Sequence, residues 1–291
     1  MKPPPFAYLA AGSLDEAISA LAAGDGEARL LAGGQSLMPM LNFRLLQPGL
    51  LISLNRIPGL GGITENGGGL RIGALTRHAE LERSPLVARH FPVLGAAMEH
   101  VAHLAIRNRG TIGGSLCHAD PAAELPMLMC LLDAGITAQG PAGERTLAAA
   151  EFFLGALTTA LAEDEIVTAI ELPALAEGCG WGFEEMARRS GDFALAGAAA
   201  IISLTGDRVS EARLAVMGAH PTPLRVAAAE ALLRDQTIDE DTVRAAAEAA
   251  AAAVEPDNDL HASADYRRHL IGVLTARVLR AALRRAQGET P

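Results

Sequence analysis

The spacing of apolar residues along the chain changes several times, and each change predicts an element of secondary structure. Ser13 followed by Glu16 is a capping-box pattern, so a short amphipathic helix is expected to begin near Leu14. The next apolar run, residues 29–32, predicts a strand. Gly33-Gly34 follows it directly, which predicts a turn where the chain leaves a sheet.

Strand and helix patterns continue to alternate up to residue 173. Alternating positions on either side of Asn66-Gly67-Gly68-Gly69 predict a β-hairpin. A helical period returns over residues 94–104, and residues 125–132 predict a buried helix or strand. Residues 166–172 predict a strand that ends at Pro173, because proline restricts the residue before it and cannot donate a backbone hydrogen bond.

The pattern after this strand differs from the pattern before it. Residues 194–204 and 211–217 predict strands, whereas the alanine-rich stretches 226–254 and 266–286 predict helices. Residues 174–180 predict a linker, so the principal domain boundary is expected at about residue 175. The second domain, 176–291, is therefore predicted to be α+β.

Composition and charge exclude several classes of protein. The chain has 291 residues, 50% of them hydrophobic, with 34 acidic against 24 basic residues and a net charge of −10. An acidic chain with only 3% aromatic residues disfavours a nucleic-acid surface. Prolines at residues 3–5 stand where a secretory signal needs an apolar helix, so no export signal is expected, and the longest apolar run is too short to span a membrane.

The three cysteines, Cys117, Cys130 and Cys179, are too far apart in the sequence to form a Cys-x-x-Cys pair. The chain's thiols alone therefore predict neither a disulfide framework nor a zinc or iron–sulfur site. A reducing, cytoplasmic location fits the small number and wide spacing of these cysteines best.

Two glycine segments are the strongest candidates for chemistry: Ala32-Gly33-Gly34-Gln35-Ser36 and Thr111-Ile112-Gly113-Gly114-Ser115. Each predicts a tight turn with a hydroxyl side chain, and successive backbone N–H groups in such a turn suit phosphate oxygens. Neither segment matches Gly-x-Gly-x-x-Gly or the Gly-Lys-Ser/Thr phosphate loop. A common dinucleotide fold or a nucleotide triphosphatase is therefore not supported.

The distribution of charge bears on the same segments. Residues 28–64 and 100–119 contain no Asp or Glu but carry five arginines. This favours an anionic ligand. A double glycine also marks an ordinary turn, and for either segment alone that interpretation is favoured. The shared pattern and the shared absence of acids favour a ligand site when both segments are considered together.

Other polar residues are weaker candidates. His100 and His103, three residues apart in a predicted helix, could share a metal, but no third ligand is grouped with them, so a structural role is favoured. His118 is either close to a ligand or a hydrogen-bonded loop residue. Arg188 and Arg189 could contact a phosphate or a partner, although a solvated turn is the default.

The chain resembles the medium, flavin-carrying subunit of molybdenum hydroxylases, in particular of the aerobic carbon monoxide dehydrogenase type and of xanthine dehydrogenases. Four ordered segments carry the resemblance over nearly the whole chain. They are Ala-Gly-Gly-Gln-Ser-Leu-Met-Pro at 32–39, Thr-Ile-Gly-Gly-Ser-Leu-Cys-His-Ala-Asp-Pro-Ala-Ala-Glu-Leu-Pro at 111–126, Phe-Glu-Glu-Met-Ala-Arg-Arg-Ser-Gly-Asp-Phe-Ala at 183–194, and Ala-Asp-Tyr-Arg-Arg-His-Leu at 264–270.

This resemblance implies an α+β protein with a two-subdomain FAD-binding fold of the vanillyl-alcohol-oxidase-like type. It predicts that residues 1–175 form the FAD-binding domain, with subdomains over about 1–57 and about 58–175, ahead of the C-terminal α+β domain. The residues that it implies hold the FAD diphosphate are Ala32, Gly33, Gly34, Gln35 and Ser36 together with Thr111, Ile112, Gly113, Gly114 and Ser115.

Three further cofactor-binding residues follow from the resemblance. Glu124 is expected to accept hydrogen bonds from sugar or ribitol hydroxyls, and Val167 to line the flavin site. Phe193 is expected beside the isoalloxazine ring. A tyrosine is familiar there in the carbon monoxide enzyme, so this ring lacks a hydroxyl donor. Ordinary core packing is an equally good interpretation of Phe193.

The implied function is electron transfer. FAD in this chain would pass electrons from the iron–sulfur clusters of a small subunit to a terminal acceptor, while a large molybdopterin subunit oxidises the substrate. A dimer of heterotrimers is expected. No catalytic residue, metal site, nucleic-acid partner or membrane span is predicted in this chain. The alternatives are a noncatalytic FAD-binding assembly module and a stand-alone flavin oxidoreductase of the same fold.

Overall fold

The computed structural model describes residues 2–289, so Met1, Thr290 and Pro291, at the ends of the predicted domains, lie outside the described residues. The chain begins with a three-stranded parallel sheet in the order β1-β3-β2, and α1 packs against β2 and β3. The elements of this part are β1 (Ala7–Ala10), α1 (Leu14–Ala23), β2 (Ala28–Leu31), α2 (Leu37–Asn42) and β3 (Leu50–Ser53).

The predicted first helix and the strand after it are both confirmed. Ser13 is the N-cap of α1, and its Oγ accepts a hydrogen bond from the backbone N–H of Glu16 at 3.2 Å. The carboxylate of Glu16 accepts from the N–H of Gly12 at 2.7 Å, not from Ser13 as a standard capping box requires. The cap therefore extends one residue further back than the sequence pattern predicts.

A five-stranded antiparallel sheet with the order β4-β5-β10-β6-β7 forms the second layer. It confirms the predicted hairpin at β4–β5 and the predicted strand that ends at Leu172, and the ambiguous run near residue 125 forms a helix, α8. The elements are β4 (Ile63–Asn66), β5 (Gly69–Gly73), α3 (His78–Arg83), α4 (Pro85–His90), α5 (Pro92–Met98), α6 (Leu104–Arg107), α7 (Ile112–His118), α8 (Glu124–Leu131), β6 (Gly135–Gly140), β7 (Gly143–Ala148), α9 (Ala149–Phe152), β8 (Phe153–Gly155), β9 (Thr158–Thr159) and β10 (Ile166–Leu172).

The prediction of one continuous helix over residues 94–104 is wrong. Helix α5 ends at Met98, Ala102 adopts a left-handed conformation with φ of 46°, and α6 starts at Leu104. The guanidinium of Arg107 donates to the carbonyls of Val101 and Ala102 at 3.1 Å each. Because a side chain satisfies these carbonyls, the backbone can leave the helix there without burying unpaired polar groups.

The C-terminal part is a four-stranded antiparallel sheet in the order β11-β12-β13-β14, covered by three helices. The two predicted strands and the helical character of the alanine-rich stretches are confirmed, with a break between α10 and α11. The elements are β11 (Gly180–Ala187), β12 (Ala194–Thr205), β13 (Arg208–Met217), β14 (Leu224–Arg225), α10 (Ala227–Leu233), α11 (Glu240–Ala253) and α12 (Ala264–Ala286).

Strand β12 is buried on both of its faces, which explains its nearly unbroken apolar sequence. Ala198, Ala200 and Ile202 belong to the hydrophobic core that α12 covers. The alternate residues Ala199 and Ile201 belong to the larger core that also contains α8 and the five-stranded sheet. The C-terminal sheet is therefore packed between its own helices and the preceding part of the chain. Among residues 2–289, no helix is both long enough and apolar enough to cross a membrane.

Candidate functional site

The first glycine segment, residues 32–36, connects the end of β2 to the start of α2, and we call it the cradle. Gly34 has a φ of 74°, a left-handed conformation that glycine adopts without the steric cost of a Cβ atom. The carbonyl of Gly33 accepts a hydrogen bond from Nε2 of Gln35 at 2.8 Å, and that of Gly34 accepts from the N–H of Met38 at 3.1 Å. The carbonyl side of the cradle is thus held by hydrogen bonds.

The N–H side of the cradle is open. The backbone N–H groups of Gly33, Gly34, Gln35 and Ser36 donate to no acceptor within residues 2–289. Four successive donors without acceptors can serve an anion, because an unpaired backbone N–H group is costly unless water or a ligand satisfies it. The cradle therefore has backbone donors available for a phosphate group.

The second glycine segment, residues 111–115, differs from the predicted loop because it forms the start of helix α7. Thr111 is the N-cap, and its Oγ1 accepts from the N–H of Gly114 at 3.2 Å. The N–H groups of Ile112 and Gly113 donate to the carbonyls of Thr76 and Ala74 at 3.1 and 2.9 Å, and that of Ser115 donates to Thr111. This segment therefore offers no open row of donors.

The two segments nevertheless meet in space. A Cβ atom placed on Gly33 would collide with the carbonyl oxygen of Arg109 and lie 2.9 Å from Cα of Gly110. A Cβ atom placed on Gly114 would lie 3.8 Å from Cβ of Ala32. Residues almost eighty positions apart in the sequence thus form one wall, in which glycine allows the two backbones to touch.

A cleft of about 730 Å³ opens beside this wall. Residues 32–35 of the cradle line it together with Asn55, Arg77, Asn108 and Arg109, and none of its lining residues is acidic. Two arginines and the open N–H groups of Gly33, Gly34 and Gln35 give the cleft a positive potential, which favours an anionic ligand. The acid-free stretches of the sequence indicated Arg109, but no local pattern indicated Asn55 or Arg77.

The other predicted cofactor residues lie outside this cleft. Val167 is buried in β10 and belongs to the hydrophobic core. Phe193 precedes β12 and is 69% exposed, so its ring is not part of that core. Ser36, Thr111 and Ser115 lie beside the wall without lining the cleft. The structure thus brings the two glycine segments together and leaves Glu124, Val167 and Phe193 apart from the cleft.

Glu124 is an unusual carboxyl at the first residue of α8. It is 8% exposed and forms no side-chain hydrogen bond with another of residues 2–289. Burial and the nearby charge of Glu185 raise the pKa of the Glu124 carboxyl to about 7. At a pH below this value the group is mostly a neutral acid, so it can donate a hydrogen bond as well as accept one.

The Glu185 carboxylate lies near Glu124, and the half-exposed His100 lies beside Glu185. The Glu185 side chain is only 4% exposed; its Oε1 lies 3.5 Å from Nδ1 of His100, and its Oε2 has no hydrogen-bond partner in the described structure. The hydrogen bond to Glu185 raises the pKa of His100. His100 and His103 do not share a helix as predicted, because α5 ends before both of them.

Replacing Glu124 with glutamine is expected to change how stability depends on pH. An acid whose pKa rises from 4.5 to about 7 on folding binds more protons in the folded state, so its contribution to stability falls as the pH rises through that range. Relative to the wild type, the free energy of unfolding of Glu124→Gln should rise by up to about 3 kcal/mol between pH 5 and pH 8, since one pKa unit corresponds to about 1.4 kcal/mol.

Urea unfolding at several pH values measures this difference. Burial lowers the pKa of His78 to about 4, which has the opposite effect on stability, but His78 is present in both proteins and cancels in the comparison. Glu151→Gln, at an exposed carboxyl, is the matched control. If the free energies of unfolding of Glu124→Gln and the wild type differ by the same amount at every pH, the pKa of Glu124 is not raised.

Two family models match the chain along nearly its whole length. The FAD-binding domain in molybdopterin dehydrogenase matches residues 4–175, and the carbon monoxide dehydrogenase flavoprotein C-terminal domain matches residues 181–282. Together they cover both the cradle and the C-terminal sheet.

Curated relatives and solved structures agree with these matches. The 6-hydroxypseudooxynicotine dehydrogenase complex subunit alpha of Paenarthrobacter nicotinovorans is 43% identical, over 99% of this chain and 97% of its own. The carbon monoxide dehydrogenase medium chain of Hydrogenophaga pseudoflava is 42% identical, over 97% of this chain and 98% of its own. A solved structure of carbon monoxide dehydrogenase from Hydrogenophaga pseudoflava matches with a TM-score of 0.96 and 43% identity, over 98% of this chain and 99% of that one.

Proposed function

Because the chain belongs to the family of FAD-binding flavoprotein subunits of molybdopterin dehydrogenases, we propose that it is the FAD-carrying electron-transfer subunit of a molybdenum hydroxylase complex. It receives electrons from the iron–sulfur clusters of a partner and passes them to a terminal acceptor. The observation that carries this proposal is the row of open N–H groups in the cradle, three of them on residues that line a cleft without acidic residues.

The residues of the cleft fit the diphosphate of FAD. The four N–H groups of the cradle supply donors for phosphate oxygens, and Arg77 and Arg109 supply positive charge nearby. The segment 111–115 has used most of its donors, so its role in this proposal is to support the cradle through the contact with Gly33, with the hydroxyls of Ser36, Thr111 and Ser115 nearby.

The remaining predicted residues are proposed to contact the rest of the cofactor. Glu124 holds sugar or ribitol hydroxyls, Val167 lines the flavin site, and the exposed Phe193 lies beside the isoalloxazine ring. Bound FAD supplies a centre that takes up electrons singly and delivers them in pairs. The protein holds this centre and orients it.

The proposal requires partner subunits for the other centres. Within residues 2–289, no group of three or more His, Cys, Asp or Glu side chains could hold a metal ion. We therefore assign the iron–sulfur clusters to a small partner and the molybdopterin to a large one, in a cytoplasmic dimer of heterotrimers. The relatives' names, "subunit alpha" and "medium chain", support a multi-subunit complex.

Rapid-mixing reduction of the purified complex tests the proposal. The wild-type complex should contain one FAD per copy of this chain, and its flavin absorbance should bleach within a single turnover after substrate is added. A flavin that stays oxidised during turnover identifies an assembly module. Reduction of the isolated chain's flavin by substrate identifies a stand-alone oxidoreductase. A complex without flavin contradicts the proposal at its first step.

A further inference from the structure

Asn55 and Arg77 form a chain of hydrogen bonds that joins the two sides of the cleft. Nδ2 of Asn55 donates to the carbonyl of Ala32 at 2.9 Å and to that of Leu31 at 3.3 Å. Oδ1 of Asn55 accepts from one terminal nitrogen of the Arg77 guanidinium at 2.8 Å, and the other terminal nitrogen donates to the carbonyl of Arg109. The chain therefore runs from the cradle to the segment that touches Gly33.

The bond to Ala32 fixes the direction of a cradle donor. In a planar trans peptide the C=O group of one residue and the N–H group of the next point in opposite directions. Asn55 holds the carbonyl of Ala32, so the N–H group of Gly33 must point away from Asn55, where no protein acceptor meets it. Gln35 and Met38 hold the next two carbonyls in the same manner. Asn55 is the only one of these three partners that lies outside residues 32–38.

Both terminal nitrogens of Arg77 are already bonded to the protein. One bonds to Asn55 and the other to a backbone carbonyl, and the backbone of Arg77 also forms an isolated antiparallel bridge with Thr111. The side chain is held from two directions by groups on opposite sides of the cleft. This arrangement suits a residue that orients other groups more than one that binds an anion directly.

We propose that Asn55 and Arg77 are positioning residues that act in series to orient the cradle for a diphosphate: Arg77 holds Asn55, and Asn55 holds the first peptide of the cradle. This inference rests on the proposed function, since FAD is the diphosphate in question. It assigns roles to two residues that neither the glycine segments nor the charge pattern of the sequence indicated.

A double-mutant cycle on FAD affinity tests the proposal. Asn55→Ala and Arg77→Gln should each weaken FAD binding by about tenfold or more. In each variant the N–H group of Gly33 is no longer aimed at the diphosphate, and the loss of one hydrogen bond to a charged group has about that effect on affinity. The double variant should bind FAD no more weakly than the single variant with the lower affinity. When two residues act in series, the losses of affinity caused by their substitutions do not add. Arg56→Gln, at an exposed arginine without side-chain partners within residues 2–289, is the charge-matched control and should bind like the wild type.

Arg77→Lys separates position from charge. Lysine keeps the positive charge but cannot bond to Asn55 and Arg109 together through a planar fork, so Arg77→Lys should bind FAD as weakly as Arg77→Gln. The two ³¹P resonances of bound FAD should also shift in Asn55→Ala, which a loss of general stability does not cause. These two readings apply even if one variant fails to fold.

Three results overturn the proposal. The first is an additive loss of affinity in the double variant, which means that Arg77 contacts the diphosphate directly. The second is wild-type FAD affinity in Arg77→Lys. The third is wild-type FAD affinity in both single variants. These outcomes differ from failure of the proposed function. In that case the wild-type chain itself binds no FAD, whereas here the wild type binds and only the roles of Asn55 and Arg77 are rejected.

Discussion

Replacing Gly33 with alanine is expected to abolish retention of FAD. The new Cβ atom would collide with the carbonyl oxygen of Arg109 and lie 2.9 Å from Cα of Gly110. Both are backbone atoms, which cannot rotate away as a side chain can, so the cradle must separate from the other segment. A displaced cradle no longer aims its N–H groups at one point, and FAD affinity should fall by more than about 100-fold, which corresponds to about 2.7 kcal/mol.

The ratio of flavin to protein after gel filtration measures this loss. Gly61→Ala is the matched control, because a Cβ atom there meets nothing closer than 4.0 Å. Gly114→Ala should have a smaller effect than Gly33→Ala, since its Cβ would come too close to one side-chain atom, the hydroxyl of Thr111 at 2.7 Å, and would lie at ordinary contact distance from Cβ of Ala32. A full complement of FAD in purified Gly33→Ala contradicts the placement of the diphosphate on the cradle.

Replacing Arg267 with methionine is expected to destabilise the fold by about 2–4 kcal/mol, since each buried carbonyl left without its donor costs about 1–3 kcal/mol. Arg267 lies in the first turns of α12 and is 7% exposed. Its guanidinium donates to the carbonyls of Leu195 and Gly218 at 2.6 and 2.9 Å, and to Oδ2 of Asp259 at 2.6 Å. Methionine keeps much of the volume but leaves these acceptors unpaired.

The neighbouring arginine provides the control for this prediction. Arg268 forms an exposed pair with Asp265 three residues before it, at 3.2 Å. Such a pair contributes little, so Arg268→Met should change the free energy of unfolding by less than about 0.5 kcal/mol. Urea unfolding of the two variants measures both values. Equal effects at the two positions mean that the network around Arg267 does not stabilise the fold.

Much of the fold could be predicted from the sequence because its signals are local. The Ser13 cap, the glycine turn at Gly67-Gly68 and the apolar run of β12 each specify their own element within a few residues. The helix expected over residues 94–104 is interrupted because the side chain of Arg107 takes the carbonyls of Val101 and Ala102, and Arg107 is itself paired with the distant Glu82.

In the candidate site, too, local sequence could not predict which groups are free to bind a ligand. The two glycine segments have the same pattern in sequence, yet one presents free N–H groups and the other has bonded two of its donors to residues 74 and 76 and two to its own Thr111. Only tertiary contacts distinguish them. Asn55 and Arg77 had no local signal for a similar reason, because their partners are more than twenty residues away.

The position of β12, with apolar neighbours on both faces, has a consequence for how the protein unfolds. If the C-terminal sheet separated from the rest of the chain, Ala199 and Ile201 on one side and the apolar residues of α8 on the other would be exposed to water at once. The larger core draws its residues from both parts, so it is incomplete in either part alone. The chain should therefore melt in a single cooperative transition, and shortening it at the linker should yield fragments that aggregate.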